Sequence, residues 1–88
     1  MQDNSKTQIN ICKAVSLRVA ELLRKHNMSQ YRLEQNSGVS HSALDFIMKN
    51  SHQTVNFKIV VQLSQGFKMT LLEFLDSPYF DYDKLDLD

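Results

Sequence analysis

The side chains best placed to do chemistry in this chain are Ser40, His41 and Ser42, which follow Gly38-Val39 and precede the apolar pair Leu44 and Ile47. Ser40 is of a type that caps helices, so its hydroxyl or neighbouring N–H groups would face an anion such as phosphate. His41 and Ser42 carry donors and acceptors suited to base edges. With Leu44 and Ile47 inward, Asp45 and Phe46 fall on the same outward face. Asp45 would repel phosphate unless it accepts from a cytosine amino group or pairs with a nearby Lys or Arg. Phe46 suits a thymine methyl, its own helix or a partner protein. This chemistry is binding, not turnover. The sequence offers no nucleophile–base arrangement, glycine-rich phosphate loop or pair of catalytic carboxylates, so no enzyme is expected. His26, His41 and His52 lack ligand spacing and Cys12 has no second thiol, so no metal or other cofactor is expected.

Two short helices must position these groups. Ser29 is a capping residue before Gln30, and residues 30–37 run without Gly or Pro. Gly38 permits a left-handed turn, Val39 is an apolar plug, and Ser40 caps a second helix over residues 41–49. A helix, a tight glycine turn and a second capped helix over 29–49 is the layout of a DNA-binding helix-turn-helix, whose second helix enters the major groove.

The remaining elements frame that pair. Ile9, Cys12, Val15, Val19 and Leu22, with Leu23 beside them, trace one face of a helix over residues 8–26 that stops at Asn27. Residues 50–54 are polar and turn-like. A further helix starts at Asn56 and buries Phe57, Val60 and Leu63; the β-branched run Ile59-Val60-Val61 also allows a short strand, but the helical spacing is the better fit. Gly66 to Lys68 breaks it, Thr70 caps a last helix over 71–75 with Glu73 at the capping-box position, and Pro78 closes the domain. Residues 1–7 are polar and expected to fray. Tyr82, Leu85 and Leu87 alternate with aspartates in the 78–88 tail, which suits an arm packed on the body or on a second subunit, or a mobile solubilising end.

The chain has 88 residues, room for one domain, with 42% hydrophobic residues and a net charge of zero. That zero hides an asymmetry. Residues 1–32 carry six basic and two acidic groups, residues 33–72 three and two, and residues 73–88 one and six. A basic body with an acidic tail is compatible with a phosphate-binding face. No apolar run approaches the roughly 20 residues of a membrane span, and no secretory h-region opens the chain. A cytoplasmic protein with a buried, unpaired Cys12 is expected.

From about Val15 to Leu75 the chain resembles the lambda-repressor and Cro family of XRE-like regulators. The resemblance rests on Ser29-Gln30, Leu33, the turn Ser37-Gly38-Val39-Ser40, Leu44 and Ile47, then Leu63-Ser64, Phe67, Met69-Thr70 and Glu73-Phe74-Leu75. It implies an all-α, five-helix lambda-repressor-like domain over residues 8–77 with a short acidic tail, acting on double-stranded DNA as a homodimer. It also implies that Gln30 touches the DNA backbone and braces the second helix, and that the loop from Lys49 through Asn50 to His52 straddles phosphates. Ser29, Gln30, Ser40, His41, Ser42, Asp45, Phe46, Lys49, Asn50 and His52 are therefore the candidate DNA-contacting residues. A repressor on a pseudo-palindromic site is the leading expectation; an interaction module of antitoxin or anti-repressor type is the alternative. Four departures stand out, one of them Lys68, where a small residue is common near the turn between the family's fourth and fifth helices. Leu23 and Met48 replace the family's Arg–Glu ion pair, a coherent exchange because a packed apolar pair can match a buried ion pair. Glu34 stands where Ala is common, and Asn50 where Gly is common.

Overall fold

The computed structural model describes residues 8–49 and 52–87. Its five α-helices are α1 (Ile11–Lys25), α2 (Gln30–Ser37), α3 (His41–Met48), α4 (Phe57–Gly66) and α5 (Leu71–Leu75). Among the described residues there is no strand, only an isolated parallel bridge between Ile9 and Leu85.

Each helix begins where a short polar side chain satisfies an orphan N–H. Asn10, Ser29, Ser40, Asn56 and Thr70 accept from Lys13, Arg32, Ala43, Lys58 and Glu73 respectively. At α5 the Glu73 carboxylate also accepts from the Thr70 N–H at 2.8 Å, completing a capping box. Two helices end on non-glycine residues in left-handed conformation. Asn27 (φ 51°) follows α1, and Lys68 (φ 59°) follows α4. In both cases the next N–H reaches back over the end of the helix, from Met28 to the Leu23 carbonyl and from Met69 to the Ser64 carbonyl.

The core contains Cys12, Val15, Val19 and Leu22 from α1, Leu33 from α2, Leu44 and Ile47 from α3, Val60 and Leu63 from α4, and Phe74 from α5. Burying one such aliphatic or aromatic side chain contributes about 1.5–3 kcal/mol. α2 packs on α4 and α1 on α3, so the second and third helices are each held from behind. Leu23 and Met48 lie half-buried against this core. Arg18 closes the far side: its guanidinium donates to the carbonyls of Phe74 and Glu73, both at 2.8 Å, and pairs with Glu21 at 2.9 Å.

Two details differ from the sequence reading. The first helix starts at Ile11, not near residue 8, because Asn10 caps it and Ile9 turns aside to bridge Leu85. Phe57 is 66% exposed rather than buried, since Val60 and Leu63 take the inward face of α4. As the sequence suggests, α4 stops within residues 66–68: Gly66 is its last residue and Lys68 makes the left-handed turn. Gly66 is there for proximity: a Cβ on it would sit 2.7 Å from Ser37 Cβ and 2.8 Å from Leu33 Cδ1. Pro78 begins the tail, for which an arm packed on the body is one of the alternatives the sequence leaves open. It opens a 3-10 turn (Pro78–Phe80) that returns to α1 and sets Phe80 against Phe74, with ring centroids 6.2 Å apart. A second 3-10 turn (Tyr82–Lys84) leads to Leu85, where Ile9 donates to the Lys84 carbonyl at 2.9 Å and Asp86 donates to the Ile9 carbonyl at 2.8 Å. Tail residues thus pack on their own body.

Candidate nucleic-acid interface

The α2–α3 pair is built by local side chains around one glycine. Ser29 Oγ accepts from the Arg32 N–H at 3.1 Å and starts α2. Gly38, at φ 78°, closes it by donating to the Glu34 carbonyl at 3.0 Å. Any residue with a Cβ would be strained in that conformation. Buried Ser37 accepts from the Val39 N–H at 3.1 Å, and Val39, 4% exposed, plugs the turn into the core. Ser40 then begins α3 by accepting from the Ala43 N–H at 3.1 Å.

This construction brings Ser40, His41 and Ser42 together, all exposed, at the positive end of α3. The first-turn N–H groups of His41 and Ser42 have no carbonyl behind them within the helix, which makes the site receptive to an anion. Gln30 is exposed in the first turn of α2, next to Ser29. Asp45 is paired with Lys49 at 2.9 Å, one helical turn on. That partly exposed pair contributes about 0.3–0.5 kcal/mol to the helix and masks the carboxylate that would otherwise oppose phosphate. Phe46, 49% exposed, leans on His52 with ring centroids 5.2 Å apart. The two rings border an apolar hollow of about 260 Å³ walled by Ala43, Ile47, Val55 and Ile59. Asn50 lies outside the described residues.

The structure adds a contact that sequence spacing did not suggest. Glu34 Oε2 lies 2.8 Å from His41 Nδ1, across the turn. The Glu34 side chain is 13% exposed and the His41 side chain 78%, so the acid is anchored and the ring is presented. The hydrogen bond to Glu34, and then its charge, raise the His41 pKa above the ordinary histidine value; Asp45 adds to this, and desolvation and Lys49 oppose it. No rule of helical periodicity links two residues seven apart across a left-handed glycine. The only available signal was the acid itself, standing in place of a small residue.

Beside Ser29, a cleft of about 530 Å³ opens between the ends of α1 and α4 and the start of α2. Arg32 and Lys68 line it together with His26, Asn36 and Phe67, so positive charge continues from the α2 terminus onto its flank. Among the described residues no group of His, Cys, Asp and Glu could hold a metal ion, and no helix is long and apolar enough to cross a membrane. No family model, curated protein or solved structure matches the chain.

Proposed function

We propose that this chain is a cytoplasmic, sequence-specific DNA-binding regulator of the lambda-repressor-like helix-turn-helix kind, acting as a repressor on a pseudo-palindromic operator as a homodimer. It is a binding module, not an enzyme. The observation that carries this reading is the exposed start of α3, where Ser40, His41 and Ser42 stand together after a glycine turn that α2 holds from behind. An α-helix presented end-first fits the major groove, and its free N–H groups and polar side chains match phosphates and base edges. Gln30 and Ser29 would take the adjoining backbone, with Lys49 and His52 on the far flank.

Selection of bound sites from random duplex DNA tests this. A defined site should emerge, with affinity falling steeply as salt rises, because released counterions drive phosphate binding. Ser42→Ala and Gln30→Ala should each weaken binding to the selected site, by about 1–3 kcal/mol for a base contact. Enrichment of no sequence, at any salt, would refute the reading.

One observation favours a second use of the same fold. Phe46 and His52 border an apolar hollow, and the neighbouring charges, Asp45 and Lys49, neutralise one another. An interaction module of antitoxin or anti-repressor type would bind a partner protein there, with little dependence on salt.

A further inference from the structure

Glu34 and His41 face each other across the Gly38 turn, with Oε2 2.8 Å from Nδ1. An ionised carboxylate can only accept hydrogen bonds, so the ring carries a proton on Nδ1 in both of its charge states. The other nitrogen is the one that changes. In the neutral ring Nε2 holds a lone pair and accepts; in the imidazolium it holds a proton and donates. Because the anchored acid takes Nδ1, the outward edge of a ring that is 78% exposed belongs to Nε2.

The bases divide along the same line. In the major groove guanine offers two acceptors, O6 and N7, and no donor, thymine offers the single acceptor O4 beside its methyl group, and adenine and cytosine offer amino donors. We infer that Glu34 makes His41 a pH-dependent specificity residue, its imidazolium selecting guanine and its neutral ring selecting an adenine or cytosine amino group. The inference rests on the DNA-binding reading above and adds a role for an acid that this reading otherwise leaves idle. The charged groups acting on the ring are Glu34 from α2 and Asp45 and Lys49 from α3 itself; from α4, Lys58 lines a separate shallow hollow together with Ser40 and Ala43. The upward pull of Glu34 brings the switch toward neutral pH.

Two measurements on the full chain separate the pair from its use. Ring-nitrogen NMR of the free protein should show the neutral form of His41 protonated on Nδ1, with a titration midpoint that falls in Glu34→Gln. A neutral ring protonated on Nε2, or a midpoint unmoved by Glu34→Gln, overturns the inference without reference to DNA. Site selection at about pH 5.5 and about pH 8.5, on either side of the usual histidine range, should exchange guanine for adenine or cytosine at one position of each half-site. The preference should be about tenfold for the imidazolium, as for one hydrogen bond involving a charged group, and about threefold for the neutral ring. His41→Gln should bind with the same base preference at both pH values. A wild-type affinity that changes with pH equally for all sequences would place the ring on phosphate and overturn the specificity role. Loss of salt-dependent binding altogether, with the NMR result intact, would instead remove the DNA reading on which the role depends.

Discussion

Arg18 is the side chain with most to lose. Its side chain is 11% exposed, and its fork holds the Glu73 and Phe74 carbonyls at the end of α5 while its Cζ lies 6.0 Å from the centroid of the Phe74 ring. Lys has a point charge in place of that planar fork and cannot serve both carbonyls. Arg18→Lys should therefore lower stability by about 1.5–3 kcal/mol in urea denaturation, as expected when hydrogen bonds involving a charged group are lost. A loss below about 0.5 kcal/mol, the range of ordinary surface substitutions, would show that α5 is held by its apolar packing without the Arg18 clasp. His41 predicts a pH effect whose sign follows from the pair. Its folded pKa is raised, so the stabilisation from Glu34 is fully present below the unfolded value of about 6.5 and is lost as pH climbs through the higher folded value. Wild-type protein should lose denaturant resistance over that window relative to Glu34→Gln, compared at each pH. Parallel profiles would mean that the two side chains do not pair in solution.

Among the helices, the crossing of α2 and α4 is the tightest joint. Alanine usually favours a helix over glycine by about 1 kcal/mol, but a Cβ at Gly66 would meet Ser37 and Leu33 well inside contact distance. Gly66→Ala should thus destabilise, by about 1–3 kcal/mol for an overpacked core. Lys68→Gly, two residues on, should stabilise by about 1 kcal/mol because it removes a side chain from a left-handed residue. Opposite signs at neighbouring positions make the pair a sharp thermal-denaturation test. On the other face, Met48→Glu should lower stability by several kcal/mol by burying an unpaired charge, and adding Leu23→Arg should recover part of it; additive losses would show that α1 and α3 do not bring these residues together. The caps Ser29, Ser40, Asn56 and Thr70 and the Gly38 turn could be read in the sequence because each acts within four residues of itself. The Gly66 approach, the Arg18 clasp and the Glu34–His41 pair could not, because each joins segments that meet only after folding. The apolar rows foretold which helices exist, but they misassigned Ile9 and Phe57, two apolar residues near helix starts whose faces are set by neighbours distant in sequence.

For the chain taken together, the acidic tail divides into a docked part and a presented part. Phe80 and Leu85 turn inward, while Tyr82 and Leu87 are 88% and 63% exposed, and Leu72 on α5 is 79% exposed. Cutting the chain after Ser77 should therefore do two things. It should lower stability by about 2 kcal/mol or more, through loss of a half-buried aromatic and a leucine, and it should weaken any dimer. Leu72→Gln with Tyr82→Ser isolates the second effect, since exposed side chains leave folding stability within about 0.5 kcal/mol. If the proposed dimer uses this surface, sedimentation should show the double variant shifted toward monomer, with weaker binding to the selected DNA site. An unchanged oligomeric state would exclude this surface as the two-fold contact.

The bridge between Ile9 and Leu85 also carries a consequence in time. It joins residues near opposite ends of the described chain, so nearly all of that chain lies within the loop it closes. Such a contact meets a large loop-closure entropy, and we expect it to form after the rate-limiting step. Interactions absent from the folding barrier act on the way out rather than on the way in. Leu85→Ala should leave the refolding arm of a chevron plot where it is and raise the unfolding arm. The seam that closes last would then set how long each molecule stays folded.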